Sequence, residues 1–266
     1  MRLADYIIAN AGEVVQSTIN QVCANSGASY ATIIRFCKRL GYSGFKELKD
    51  NLFFDTQENN PVTDLGAGYR IERNDTTDHI IQKAFRSSIH TLQESNKIIN
   101  RSEVERACDS ILKARTVYFI GTGISGVCAQ YAYTRFFRIG INCSFETDPT
   151  IYKIRTSIMG KNDVLFAISS SGRSGNVVDA ARIARSNQIP VISLCDFAIS
   201  PLSKLSEINL YTTPRNSTQF LEMDVQLFIA QINIIDIIFF KCCTESDNER
   251  IQLLNKTKNY SDKEKI

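Results

Sequence analysis

The sequence predicts an all-α N-terminal helix-turn-helix domain followed by a three-layer α/β domain with a parallel, doubly wound sheet. Three observations carry this. From Thr116 onward short apolar runs alternate with helix-period segments, as repeated strand–helix units do when helices cover both faces of a sheet. Before that point lie short helical patterns broken by tight turns. Between the two, residues 55–76 are polar and contain Pro61, Gly66 and Gly68, which reads as a linker. With 266 residues the chain has room for two domains and a sizeable core.

The predicted boundaries are 1–54 for the first domain, 55–76 for the linker and 77–244 for the second domain with its leading helices. Residues 245–266 form a polar tail or fraying helix. In the first domain Thr18 caps a short helix to Ala24, and Asn25-Ser26-Gly27 makes a turn. Ser29 caps a second helix, Tyr30 to Leu40. Ile33, Cys37 and Leu40 share one face and belong to a core. Thr32, Arg35 and Arg39 lie opposite, with Tyr30 and Lys38 nearby. Two short helices joined by a glycine turn, the second basic on its outer face, make a helix-turn-helix pattern.

Arg35 and Thr32 are placed to reach base edges, and Lys38, Arg39 and Lys46 to hold phosphates; the plainer alternative is a solvated surface. The net charge of +3 is too small to indicate nucleic acid by itself. Local charge is more telling: between Ala28 and Lys49 five basic residues face one acid, Glu47.

The second domain opens with a helix from Thr77 to Asn100 and another from Ser102 to Lys113. Ile81, Phe85, Ser88, Leu92, Ser95 and Ile99 form a stripe that suits either a partner helix or the chain's own domain. Strands follow at 117–121, 142–146, 164–169, 190–195 and 208–211, with helices between them and a long helix from Leu221 to Cys243. The apolar run Leu227–Phe240 is interrupted by Gln231, Asn233 and Asp236. It reads as a buried helix, too short and polar to cross a membrane. The chain shows no signal peptide, and its eight scattered cysteines form no CxxC pair. They read as reduced core residues of a cytoplasmic protein, with no metal site.

Two loops carry candidate chemistry. Phe166-Ala-Ile-Ser-Ser-Ser-Gly-Arg-Ser-Gly-Asn176 is a buried strand breaking into a hydroxyl-rich turn at a helix start. Free N–H groups and the helix dipole there favour an anion, most naturally a phosphate. Gly121-Thr-Gly-Ile-Ser-Gly126 matches GxGxxG, and Glu146 follows about twenty residues on, where a dinucleotide fold places its ribose-binding acid. A dinucleotide fingerprint does not explain the serine loop. Two such loops on neighbouring strands can instead converge on one phosphorylated sugar.

Ala31-Thr-Ile-Ile-Arg-Phe-Cys-Lys-Arg-Leu-Gly-Tyr-Ser-Gly-Phe-Lys-Glu-Leu-Lys49 resembles the recognition helix and following turn of the RpiR family of bacterial transcriptional regulators, a likeness running from Leu3 to Cys243. In that family a helix-turn-helix domain precedes a sugar isomerase (SIS) domain. The resemblance implies binding to a double-stranded DNA operator through Thr18, Ser29, Tyr30, Thr32, Arg35, Lys38, Arg39 and Lys46. It also implies a phosphorylated sugar effector, held by Gly123, Ser125, Ser169, Ser171 and Ser174, with Ser170 contributing its backbone. Glu222 and Gln219, near the start of the last long helix, either meet sugar hydroxyls or answer the helix dipole. Arg173 either caps the phosphate or faces solvent, and Asp196 and Ser200-Pro201 shape a turn. A homodimer or homotetramer is implied, and no cofactor.

The alternative function is aldose–ketose isomerisation, which needs an acid–base group. The histidines, His79 and His90, precede the sheet domain, and none lies in a candidate loop, so a base would have to come from Glu222, Glu146 or a partner subunit. Family members carry a further helix before the stretch matching Leu3 to Ile8. The chain begins at that stretch, which implies either a late start or a DNA-binding domain short of one helix.

Overall fold

In the computed structural model, which describes residues 3–49, 52, 71, 73–213, 225–245 and 248–262, the chain divides into two units, Met1–Gly68 and Tyr69–Ile266. Most of the expected linker lies outside the described residues.

In the first unit, helices run Leu3–Ala9, Ala11–Gln16, Ile19–Ser26 and Tyr30–Arg39, and residues 45–49 are also helical. The local signals explain the turn. Thr18 and Gln21 form a reciprocal capping box, Gly27 ends the Ile19–Ser26 helix at φ 71°, and Ser29 accepts from the Thr32 N–H. Tyr6, Ile7, Val14, Val22, Ile33, Cys37, Phe45 and Leu48 close one core. Leu40 does not join it: the helix ends at Arg39, so the buried stripe stops there and Leu40 is 53% exposed.

The second unit holds five parallel strands, β1 (Val117–Ile120), β2 (Cys143–Glu146), β3 (Val164–Ile168), β4 (Val191–Asp196) and β5 (Ile208–Thr212), in the order β2-β1-β3-β4-β5. Side chains alternate between two cores. Phe119, Phe166, Ile168 and Leu194 pack with the helices Arg101–Lys113, Ile124–Phe137 and Val225–Thr244. Ile120, Leu165, Ala167 and Val191 pack with Pro149–Ser157, Gly175–Ser186 and Pro201–Leu205. This is the three-layer arrangement that near-continuous apolar strands require. Each fully buried Phe or Ile contributes roughly 1.5–3 kcal/mol. All eight cysteines are free; seven are buried and Cys23 is half-buried.

The stripe on the Thr77–Ile98 helix divides: Ser95 is buried and Leu92 and Ile99 are half-buried, while Ile81 and Phe85 are exposed, and Ser87 and Thr91, beside the stripe, are buried too. Small hydroxyl residues let this helix lie close to the Val225–Thr244 helix and β5, and Ser95 Oγ accepts from the Thr213 N–H at 3.1 Å. The closing helix is not too short to cross a bilayer. Leu227–Thr244 meets length and composition for a span, yet half of it is buried, and Ile235, Ile238 and Phe239 lie fully in the core. At the C-terminus Glu249–Asp262 is a packed helix, with Leu254 against the core and Arg250 Nη1 donating to the Ile139 carbonyl at 3.1 Å.

Candidate functional site

In the first unit the expected DNA-reading residues are all exposed. Tyr30, Thr32, Arg35, Lys38 and Arg39 are exposed on the Tyr30–Arg39 helix, with Thr32, Arg35 and Arg39 on the side away from the buried Ile33 and Cys37, and Lys46 is exposed on the segment that follows. Thr18 and Ser29 are exposed too, with their hydroxyls engaged as caps. Thr18 Oγ1 donates to Gln21 Oε1 at 2.9 Å, and Ser29 Oγ lies 2.8 Å from Thr32 Oγ1. Arg35 Nε donates to the Ala31 carbonyl at 3.3 Å, which lays the guanidinium stem along its own helix. Glu47 accepts from the Ser43 hydroxyl at 2.6 Å, so the acid of this basic stretch secures a turn. Lys49 is structural as well, its Nζ donating to the Ser17 carbonyl at 2.8 Å.

In the second unit the sheet order reverses direction between β1 and β3, and both glycine and serine loops emerge there, at the carboxyl ends of the strands. Such a switch point opens the crevice in which doubly wound sheets bind ligands. Thr122 Oγ1 and Ser174 Oγ stand 3.3 Å apart and join the two loops. Ser125, Ser169 and Ser170 are buried, Ser174 is half-buried, and Ser171, Gly123 and Arg173 are exposed.

The helices that open at these loops differ from their neighbours. Thr77–Ile98, Arg101–Lys113, Pro149–Ser157 and Pro201–Leu205 are each capped by a side chain, from Thr76, Asn100, Asp148 and Ser200. Ile124–Phe137 and Gly175–Ser186, starting after Gly123 and Ser174, have no side-chain cap. The first N–H groups of both helices thus lack a side-chain acceptor, and both dipoles favour an anion.

The glycines are sterically required. A Cβ on Gly121 would meet the Ser125 carbonyl oxygen at 2.4 Å, and one on Gly172, at φ +60°, would meet Ser200 Oγ at 2.2 Å. The serine loop is thus clamped from β4 and the segment after it: the Asp196 N–H donates to the Ser170 carbonyl at 2.8 Å and the Leu202 N–H to the Gly172 carbonyl at 3.1 Å. Asp196 and Ser200 do shape this turn, and they hold the loop as well. The Arg173 N–H donates to Ser171 Oγ at 3.2 Å.

Glu146 is ion-paired with Arg155 at 3.3 Å, which opposes the role of ribose-binding acid. His79 and His90 both sit on the Thr77–Ile98 helix, next to Asp75 and Glu94. Glu222 and Gln219 lie outside the described residues. Two participants escaped the sequence reading: Thr122, the hydroxyl inside the glycine motif, and Gln231, whose Nε2 donates to Ser170 Oγ at 3.3 Å. Gln231 was visible only as a polar break in an apolar helix.

A helix-turn-helix unit and a doubly wound unit with an anion crevice at its switch point define a class of two-part, ligand-responsive DNA-binding proteins. Comparison with known proteins agrees. The family model "Helix-turn-helix domain, rpiR family" matches residues 1–59, and the SIS domain model matches residues 110–239. The HTH-type transcriptional regulator YbbH of Bacillus subtilis is 32% identical over 97% of this chain and 89% of its own length. The regulator HexR of Escherichia coli is 26% identical over 89% of this chain and 80% of its own. The chain belongs to the RpiR family of HTH-type transcriptional regulators.

Among solved structures, the Vibrio vulnificus NanR protein complexed with ManNAc-6P is 27% identical, with a TM-score of 0.64, and the match covers 97% of this chain and 90% of that one. Phosphoheptose isomerase GmhA from Neisseria gonorrhoeae, at 18% identity and a TM-score of 0.55, covers 63% of this chain and 99% of that one, and shares the fold.

Proposed function

We propose that this regulator binds an operator through Tyr30, Thr32, Arg35, Lys38, Arg39 and Lys46, with Thr18 and Ser29 setting the helices. Its DNA binding is controlled by a phosphorylated sugar held by Gly123, Ser125, Ser169, Ser170, Ser171 and Ser174. Glu222 is assigned to the sugar hydroxyls. The observation that carries the reading is the pair of uncapped helix N-termini meeting where Thr122 and Ser174 join the loops. The NanR structure with ManNAc-6P supports a phosphosugar as guest.

The crevice is a sensor rather than an isomerase site. In support, among the described residues the histidines are on another element and Glu146 is bound to Arg155, which removes two of the groups isomerisation could use. The reading places residues 1–54 as the DNA-binding domain, 55–76 as the linker and 77–244 as the effector domain, in a cytoplasmic protein that works as a homodimer or homotetramer. Symmetric copies would present two recognition helices to a pseudo-palindromic site, and a sugar phosphate would shift their operator affinity.

Footprinting on the protein's own upstream region, with and without a panel of sugar phosphates, tests this. Salt-sensitive protection that changes with one phosphosugar is expected. Absence of a protected site under any condition overturns the regulator reading, and ketose formation from an aldose phosphate that Glu222→Gln abolishes overturns the sensor reading.

A further inference from the structure

We propose that Gln231 is a positioning residue that turns the Ser170 hydroxyl into a donor for the ligand's phosphate, an inference that rests on the phosphosugar reading of the crevice. Gln231 lies in the middle of the Val225–Thr244 helix, fully buried, with Ala230, Ile234 and Ile235 as buried neighbours in sequence. A primary amide at such a place is strongly unfavourable unless both of its ends are bonded. Both are. Nε2 donates to Ser170 Oγ at 3.3 Å, and Oε1 accepts from the Cys128 thiol at 3.3 Å.

Burial pushes the Cys128 thiol up to about 12, so it keeps its proton and acts as a donor. The bond from the thiol occupies Oε1, and the NH2 group faces Ser170. Ser170 Oγ therefore accepts from Gln231, while its carbonyl is held by the Asp196 N–H at 2.8 Å. Among the described residues the Ser170 hydroxyl donates to no protein acceptor. On this proposal that hydrogen is directed at the guest.

The three groups form a chain with one direction: Cys128 donates to Gln231, Gln231 to Ser170, and Ser170 to the guest. Hydrogen bonds aligned in this way polarise one another, so the last donor gains strength toward an anion. Ser170 then acts through its side chain and not by its backbone alone.

The test uses the full chain, titrated calorimetrically with inorganic phosphate and with glucose, fructose, N-acetylglucosamine and N-acetylmannosamine 6-phosphates. The tightest binder to the unmodified protein is then carried through the variants. Gln231→Met, close in shape but without the amide, is expected to bind about tenfold more weakly, the loss of one hydrogen bond to a charged group. Cys128→Ser keeps a donor and is expected to stay within about twofold.

Gln231→Glu supplies the readout that a merely structural role would not move. Ionised, its carboxylate accepts the Ser170 proton and reverses the chain; protonated, it donates again. Its affinity relative to the unmodified protein should therefore recover as pH falls through roughly 8 to 5. Over that range the thiols of Cys128 and of Cys195, beside Asp196, stay protonated, being pushed up to about 12 and about 11 by burial. The Asp196 carboxylate, which accepts from Thr212 Oγ1, is common to both proteins. Should Gln231→Met fail to fold, the Gln231→Glu series decides alone. A pH-independent ratio, or unchanged binding by Gln231→Met, overturns the relay and leaves the phosphosugar reading intact. Binding of no ligand by the unmodified protein overturns both.

Discussion

Gly172 and Gly27 show how two glycines with similar backbones carry different weight. Both have positive φ, but a Cβ on Gly27 meets nothing within 4 Å, whereas one on Gly172 runs into Ser200. Gly27→Ala should cost about 1 kcal/mol of backbone strain in the first unit and leave effector binding alone. Gly172→Ala should cost roughly 1–3 kcal/mol and abolish the thermal shift produced by the effector, because the serine loop loses its clamp. Melting curves with and without sugar phosphate distinguish the two. A second residue-level expectation concerns pH. Asp163 is buried, and the Arg115 guanidinium, through bonds of 2.9 and 2.6 Å, holds its carboxyl below the usual carboxylate range; the Gly160 N–H adds to this and burial opposes it. A carboxyl depressed on folding stabilises fully above its unfolded value near ~3.9 and loses that contribution as pH falls through the folded value. The Tm deficit of Asp163→Asn should be greatest at neutral pH and shrink in acid.

At the scale of elements, caps and outward-facing side chains divide stability from recognition. Thr18→Ala removes the capping box and should lower the first unit's stability by about 1 kcal/mol. Arg35→Ala should leave the melting curve unchanged and weaken operator binding roughly tenfold or more, since a base contact is worth about 1–3 kcal/mol. The capping hydroxyls, the left-handed Gly27 and the strand–loop–helix units were legible in the sequence because each is set by residues a few positions apart. The strand ends fell within a residue of expectation for the same reason. What escaped depends on tertiary neighbours. The hydroxyl face of Ser87, Thr91 and Ser95 is buried because it fits closely against another helix, while the more apolar Ile81 and Phe85 remain outside. Gln231 has meaning only once Cys128 and Ser170 are brought beside it from distant parts of the chain. The serine loop was legible as a hydroxyl-rich turn at a helix start, but its clamp by Asp196 and Leu202 was not, since that needs β4 placed next to β3.

At the scale of the whole molecule, Phe85 at 69% exposure and Ile89 at 52% leave apolar surface on the Thr77–Ile98 helix, which supports assembly of copies. Replacing both by Glu should lower the assembly state in sedimentation and weaken operator binding more than the binding of sugar phosphate. The order of the sheet has a further consequence, for the time course of folding. Strand β1 lies between β2 and β3 and pairs with both, so the centre of the sheet cannot close until Val164–Ile168 has been made. The first unit is built from short, local helices and depends on nothing that late. Local contacts form quickly and parallel pairings slowly. During synthesis the operator-reading unit is therefore expected to be complete while the sensing unit is still unformed. In refolding, helical signal from the first unit should precede the recovery of sugar-phosphate binding, so that each new molecule passes through an interval in which its recognition helix is folded and the part that senses the effector and pairs the copies is not.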